Sequence, residues 1–172
     1  MEYQVYDNFL DKPYYLKIRD YLLSDRFPWY LHTRVAGCPD EENDPNTFYF
    51  VHHFYEGPEN KSNQSHILNP LIDKLDPITI IRVKGNLYPR TDRLFFHERH
   101  IDYYFYHQAA IFYLNDNDGY TVLEDGTKIE SVANRLLLFD ASKEHNSTTC
   151  TNSKVRANIN FNYISQSFLL KK

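Results

Sequence analysis

Short apolar segments separated by turn signals fill the chain between residues 78 and 163, and this pattern limits the folds open to it. The segments are rich in β-branched and aromatic residues, which favour strands, while Gly, Asn and Asp cluster between them. The predicted strands are residues 78–88, 108–114, 120–123, 128–132, 135–139 and 155–163. Regularly spaced short strands with tight turns are typical of a β-sandwich or β-barrel.

The first 77 residues follow a different pattern. Residues 11–23 and 65–75 carry apolar side chains at helical spacing, which predicts two amphipathic helices, and residues 48–55 are typical of a strand. Residues 27–46 contain three prolines and an acidic cluster without periodicity, so we expect a loop there, either passive or able to close over a substrate. We therefore predict one domain over 1–172, mainly β with N-terminal helices, with 1–77 as helical and loop scaffold and 78–163 as core.

Charge and cysteine content narrow the possible partners. The formal net charge of -4 argues against a general nucleic-acid binder. A local basic run could steer an anionic substrate or form a solvated strand edge; it comprises Arg82, Lys84, Arg90, Arg93 and Arg99. Two cysteines are too few for a disulfide framework, and no stretch approaches the roughly 18 apolar residues of a membrane span. The expectation is a soluble cytoplasmic protein.

A His-x-Asp triplet at His100 and Asp102 is the first candidate for chemistry. Residues two apart on a strand point to the same face, so an imidazole and a carboxylate can reach one metal ion. His145, which follows after several predicted strands, is the candidate third ligand. Two histidines and one carboxylate with an open opposite face suit non-haem iron. The alternative is a surface histidine at 100 and a turn-capping histidine at 145.

A strand with one polar face follows His145. Arg156, Asn158, Asn160 and Asn162 alternate with Ala157, Ile159, Phe161 and Tyr163. Because buried polar groups need partners, four of them on one face predict a polar ligand pocket, unless that face lies in water. A guanidinium in such a pocket is suited to bidentate binding of a carboxylate.

As an ordered set, these motifs resemble those of the 2-oxoglutarate and Fe(II)-dependent dioxygenases, specifically the prolyl 4-hydroxylase-like branch. The set comprises His100-x-Asp102, His145, Arg156 and the segments 113–115 (Tyr-Leu-Asn) and 119–121 (Gly-Tyr-Thr). The resemblance covers about half the chain. It implies a double-stranded β-helix, or jelly roll, with helices packed on the larger sheet. The compact chain is also similar to short dioxygenases of bacteria and their phages.

The resemblance also implies roles for individual residues. His100, Asp102 and His145 would hold Fe(II), and Arg156 would bind the distal carboxylate of 2-oxoglutarate. Cosubstrate contacts are also expected from Tyr113, Tyr88, Asn86 and Asn158. Hydroxylation of a C–H bond in a prolyl peptide or small molecule would then consume O2 and release succinate and CO2, with ascorbate as a candidate reductant.

This sequence departs from that branch in two places. Asp118-Gly119-Tyr120 stands where Gly-Gly usually precedes the hairpin threonine, and Arg156 replaces the lysine of collagen-type enzymes. Two alternatives stay open. An oxidative nucleobase dealkylase on the same fold would explain Asn86-x-Tyr88 and the basic run, although no second arginine follows Arg156 closely. A cupin-like protein that binds a metal without turnover is the other.

Overall fold

A computed structural model describes residues 3–33 and 48–165 of the chain. Two helices, α1 (Lys12–Leu22) and α2 (Asn69–Leu75), lie within these ranges, and a 3-10 turn at Ser65–Leu68 precedes α2. The strands in the same ranges are β1 (Tyr3–Tyr6), β2 (Tyr30–His32), β3 (Tyr49–Glu56), β4 (Glu59–Asn60), β5 (Thr79–Pro89), β6 (Gln108–Tyr113), β7 (Tyr120–Val122), β8 (Lys128–Glu130), β9 (Leu136–Asp140), β10 (Asn146–Ser147) and β11 (Val155–Ile164).

The larger sheet is antiparallel and has the order β1-β9-β6-β11-β5-β3-β2, with β4 paired to β3. Strand β11 lies near its centre, between β6 and β5. Its alternating pattern explains this position, because both of its faces are buried. The predicted strands and the predicted helices at 11–23 and 65–75 all correspond to elements of the structure. The prediction of a mainly β fold with N-terminal helices is confirmed.

Strands β1 and β2 lack a sequence pattern that predicts a strand. All seven of their residues are exposed, and they form at the two edges of the larger sheet by pairing with β9 and β3. The predicted loop at 27–46 is described only as far as Thr33, since 34–47 lie outside the described residues. Its possible role as a lid therefore stays a prediction.

The smaller sheet has the order β10-β7-β8 and faces the larger one. Isolated bridges extend it beyond β10, since Phe96 pairs with Thr148 and His100 pairs with His145. The segment 91–99 therefore runs along the edge of this sheet. None of the helices in the described ranges is long and apolar enough to span a membrane.

Two apolar cores hold these layers together. On the outer face of the larger sheet, Ile18 and Leu22 of α1 and Leu71 of α2 pack against Ile159 and Phe161 of β11. Between the sheets, a second core joins β6 and β9 to the smaller sheet; it includes Ile111, Tyr113, Leu137, Phe139, Leu123 and Ile129. The apolar face of β11 thus meets the helices, and its polar face is left to line the space between the sheets.

Candidate active site

His100 and His145 lie side by side because their backbones form an antiparallel pair. The amide of each donates to the carbonyl of the other at 3.0 Å, so their side chains leave the same face. The two imidazole centroids are 4.6 Å apart. Two histidines 45 positions apart in the sequence are therefore placed together by one backbone pair at the edge of the smaller sheet.

Asp102 completes the cluster. Its backbone amide donates to the carbonyl of Ala141 at 3.1 Å, which fixes the chain two residues beyond His100. Its Oδ2 lies 3.9 Å from Nε2 of His145, and one potential ligand atom from each of the three residues lies within 4.8 Å of the others. A divalent metal ion could be held by these three residues, with donors from one carboxylate and two imidazoles.

The hydrogen bonds of His100 and His145 leave one ring nitrogen of each histidine available to a metal. Nδ1 of His145 lies 3.0 Å from the carbonyl of Lys143, and Nδ1 of His100 lies 3.2 Å from that of Glu98. A carbonyl can only accept, so Nδ1 carries the proton and donates, while Nε2 keeps its lone pair. Such outer hydrogen bonds orient the imidazole ligands of metal centres.

The carboxylate of Asp102 is held on both oxygens. Arg82 Nη2 donates to Oδ1 at 2.9 Å, and Asn162 Nδ2 donates to Oδ2 at 2.8 Å. Burial alone would raise the pKa of Asp102, but His145, Arg82 and the Asn162 hydrogen bond together lower it to about 2. Burial also lowers the pKa of His145. The cluster is therefore a carboxylate and neutral imidazole near neutral pH, as metal binding requires.

The cluster opens into a cavity of about 240 Å³ between the two sheets. Its floor consists of alternate residues of β5 and β11, which face each other in register: Tyr88 with Arg156, Asn86 with Asn158, and Lys84 with Asn160. Arg82 also lines the cavity, whereas its register partner Asn162 donates to Asp102. All four polar residues of β11 are buried, with exposures of 8% or less. The alternative that this polar face lies in water is excluded.

Arg156 is 1% exposed and is fixed at its inner side. Its Nε donates to Ser131 Oγ at 2.8 Å, and its Nη2 donates to Thr121 Oγ1 at 3.1 Å. The remaining nitrogen, Nη1, is buried and has no hydrogen-bond partner among the described residues. An unsatisfied buried charged donor costs more than about 1–3 kcal/mol, so Nη1 is set to bind an anionic ligand in the cavity.

Gly119 is needed where the hairpin crosses Arg156. A Cβ at this position would lie 2.6 Å from Cδ of Arg156 and would also collide with the carbonyl of Thr149. Any side chain would therefore displace the guanidinium or the backbone. The Gly-Tyr-Thr segment has a physical explanation: Gly119 leaves room for the arginine stem, and Thr121 accepts a hydrogen bond from its head.

The other predicted cosubstrate residues fall into two groups. Tyr88, Asn86 and Asn158 line the cavity, and Asn86 Nδ2 donates to Asn158 Oδ1 at 3.0 Å. Tyr113 is fully buried beneath it, with its hydroxyl donating to Thr121 at 2.9 Å and its ring centroid 5.8 Å from the Arg156 guanidinium. Tyr113 is therefore placed to support Arg156 and Thr121 rather than to line the cavity.

Sequence reasoning missed several residues at this site. The sequence identified Arg82 and Lys84 only as members of a basic run, yet both line the cavity. The other members, Arg90, Arg93 and Arg99, are exposed. The alternation of Arg82, Lys84, Asn86 and Tyr88 was the available signal, since it repeats the polar face of β11. Tyr49 and His97 carried no such signal, because their proximity depends on pairing between distant segments.

His97 lies behind the cavity in a neutral state. It is 3% exposed, its Nδ1 is 2.7 Å from Ser147 Oγ, and its ring is 4.8 Å from that of Tyr88. Burial, with smaller contributions from Arg156 and His100, lowers the pKa of His97 to about 3. His97 therefore supports Tyr88 without adding charge to the site.

Solved structures share this arrangement of sheets. The chain is similar to a prolyl-4-hydroxylase from Pseudomonas putida, with 14% identity, a TM-score of 0.61, and coverage of 95% of this chain and 92% of that one. A viral collagen prolyl hydroxylase from Paramecium Bursaria Chlorella virus-1, solved with 2-oxoglutarate, shows 12% identity, a TM-score of 0.61, and coverage of 96% and 97%.

The fold is that of the 2-oxoglutarate and Fe(II) oxygenases. A third structure with this fold is the epimerase SnoN in complex with Fe3+, alpha-ketoglutarate and nogalamycin RO, with 12% identity, a TM-score of 0.64, and coverage of 95% and 78%. No family model matches the sequence, and no curated protein matches it significantly. The predicted jelly roll and the resemblance to prolyl 4-hydroxylase-like oxygenases are therefore confirmed at the level of the fold.

Proposed function

We propose that this protein is an Fe(II)- and 2-oxoglutarate-dependent dioxygenase that hydroxylates a C–H bond in a prolyl peptide or small molecule. One observation carries the proposal: the buried, unpartnered Nη1 of Arg156 and the His100, Asp102 and His145 cluster line the same cavity. The site thus offers a metal-binding face and a separate carboxylate-binding cation. Similar solved structures with bound 2-oxoglutarate support this choice of ligand.

The residues present fit both groups. The cluster combines nitrogen and carboxylate donors, which suits Fe(II) with open positions on the opposite side. Arg156 would bind the distal carboxylate of 2-oxoglutarate through Nη1, because Nε and Nη2 are already occupied by Ser131 and Thr121. Because Thr121 Oγ1 accepts two hydrogen bonds, its own proton is free to donate to the same carboxylate.

When bound, Fe(II) and 2-oxoglutarate supply oxidative decarboxylation by O2 to succinate and CO2, and with it the oxidising power to hydroxylate a C–H bond. The protein's own residues position the reactants. Arg82 and Asn162 keep the Asp102 carboxylate ionised and oriented, and the Nδ1 hydrogen bonds fix the tautomers of the two histidines. Ile111 contributes an apolar side chain to the lining of the cavity.

The size of the cavity supports a small reacting group. A volume of about 240 Å³ lies below the roughly 300–1,000 Å³ of sites for drug-sized ligands. A cosubstrate and one small side chain or molecule therefore suit it better than a flipped nucleobase. Inward placement of Arg82 and Lys84 also removes two cations from the surface run that would have met a nucleic-acid backbone.

Succinate production from 2-oxoglutarate tests the proposal. Anaerobically purified protein receives Fe(II), ascorbate and 2-oxoglutarate, then O2, and succinate is measured for wild type, His145→Ala and Arg156→Met. We expect succinate from the wild type and loss of at least 100-fold in both variants. Arg90→Met is the matched control, because Arg90 is exposed and directly follows the last residue of β5. The second readout is calorimetry, which measures the binding of Ni2+ and then of 2-oxoglutarate. A wild type that binds neither ligand would refute the proposal, whereas one that binds the metal without forming succinate would favour the non-catalytic cupin-like alternative.

A further inference from the structure

Lys84 is a cation on the cavity floor, and the proposed function assigns it no anionic partner. It lies on β5 opposite Asn160 of β11, one rung from Asn86 on one side and Arg82 on the other. Its ammonium group is 3.4 Å from the hydroxyl of Tyr49 and 5.5 Å from the centre of that ring. These contacts hold the side chain over the cavity, but neither neutralises its charge.

The charges around the cavity do not balance. Among the described lining residues, three are cationic and one is anionic: Arg82, Lys84 and Arg156 against Asp102. These four side chains together carry a net charge of +2. Binding of Fe(II) and the 2-oxoglutarate dianion adds +2 and -2, so the excess remains. An unpaired charge in a partly desolvated site is costly, which indicates that a further anion belongs there.

Lys84 is the cation that lacks an anion. Arg82 is paired with Asp102 at 2.9 Å, and Arg156 is the cation proposed for 2-oxoglutarate. The ammonium of Lys84 feels the charges of Asp102 and Glu56, but no carboxylate in the described ranges lies within ion-pair distance of it. Burial, followed by Arg82, lowers the pKa of Lys84 to about 8, so the ammonium form still predominates at pH 7.

A second unpartnered group lies beside Lys84. Asn160 Oδ1 is buried and has no hydrogen-bond partner, while its Nδ2 is directed at Asp102 at 3.5 Å. Asn160 therefore offers an acceptor on the rung where Lys84 offers a cation. A ligand that fills both requirements has a carboxylate and a hydrogen-bond donor close together.

We propose that Lys84 and Asn160 form a substrate subsite that binds a carboxylate through Lys84 and a neighbouring N–H or O–H group through Asn160. The substrate class is then a small carboxylic acid with an adjacent donor, such as an α-amino acid or a peptide C-terminal residue. This inference rests on the proposed function, because the subsite lies beside the cluster that would hold the metal.

Matched acids and amides test this subsite. The probes are the twenty L-amino acids and their amides, added to protein loaded with Ni2+ and saturated with 2-oxoglutarate, and binding is measured by calorimetry and thermal shift. We expect at least one acid to bind about 10-fold or more tightly than its amide. That preference should vanish in Lys84→Met, persist in Lys84→Arg and be unchanged in the control Lys17→Met, which removes an exposed lysine of α1. With Fe(II), the same acid should raise the rate of succinate formation.

Three results would overturn the inference. The first is the absence of any acid-over-amide preference in the wild type, and the second is a preference that persists in Lys84→Met. The third is a loss of 2-oxoglutarate affinity in Lys84→Met as large as in Arg156→Met, which would place Lys84 at the cosubstrate instead. Each can occur while the wild type still forms succinate, so failure of the subsite is distinguishable from failure of the proposed function, in which no succinate forms.

Discussion

Thr121→Val removes one oxygen atom from beneath Arg156 and changes the shape of the residue very little. Thr121 is 1% exposed, and its Oγ1 accepts hydrogen bonds from Arg156 Nη2 and from the Tyr113 hydroxyl. The valine methyl group that takes the place of Oγ1 cannot accept a hydrogen bond, so two buried donors lose their partner. At about 1–3 kcal/mol for each unsatisfied donor, and allowing for incomplete additivity, we expect the free energy of unfolding to fall by about 2–4 kcal/mol.

The same substitution should weaken 2-oxoglutarate binding. The ligand loses the hydroxyl donor of Thr121, and the Arg156 guanidinium loses one of its two fixed contacts. A lost hydrogen bond of about 1.4 kcal/mol corresponds to a roughly 10-fold weaker Kd. Metal affinity should stay within about threefold of wild type, because no hydrogen bond of the three metal-binding candidates involves Thr121.

The assay combines urea unfolding at pH 7 with calorimetry of 2-oxoglutarate binding to the Ni2+-loaded protein. Thr148→Val is the matched control, since Thr148 is fully buried and its hydroxyl accepts from the amide of Tyr120 without contacting Arg156 or Tyr113. The control should lose stability and keep its 2-oxoglutarate affinity. Wild-type affinity in Thr121→Val, or equal loss in Thr148→Val, would refute the reasoning.

Three further predictions concern the surroundings of the site. Arg82→Gln removes the donor to Asp102 Oδ1, so metal affinity measured by competition with a chelator should fall about 10–100-fold; an unchanged affinity would contradict an orienting role. The pKa of His97 is lowered to about 3, so protons favour the unfolded chain below about pH 6.5 and stability is lost as pH falls toward 3. In His97→Gln, urea midpoints should therefore decline less steeply between pH 6.5 and 4.5, and parallel profiles would contradict this. Asn134 bonds both the amide and the carbonyl of Leu10 at 3.0 and 2.8 Å, so Asn134→Ala should lower the free energy of unfolding by about 2–3 kcal/mol, and a thermal scan that shows no change would argue against this anchor.

Local sequence patterns predicted much of the larger sheet. The alternation on β11 follows from the two-residue period of a strand, and its apolar half does pack against the helices. The same period suggested that His100 and Asp102 share a face, but the chain leaves the extended conformation after His100, and Asp102 lies in a bend held by the carbonyl of Ala141. Edge strands β1 and β2 were not predictable in this way, because short exposed strands owe their form to their pairing partners.

The sequence by itself determined which residues share a face of each strand, since that depends only on backbone geometry. It also supplied the ordered set of His100, Asp102, His145 and Arg156. Only the tertiary structure decided which side chains meet: Arg82 pairs with Asp102, and Thr121 lies beneath Arg156. It also left Lys84 without an anion in the described ranges. The two hydrogen-bonded pairs join residues that are 20 and 35 positions apart in the sequence. Their energies depend on strand register and on the exclusion of water, and both exist only once the two sheets have closed.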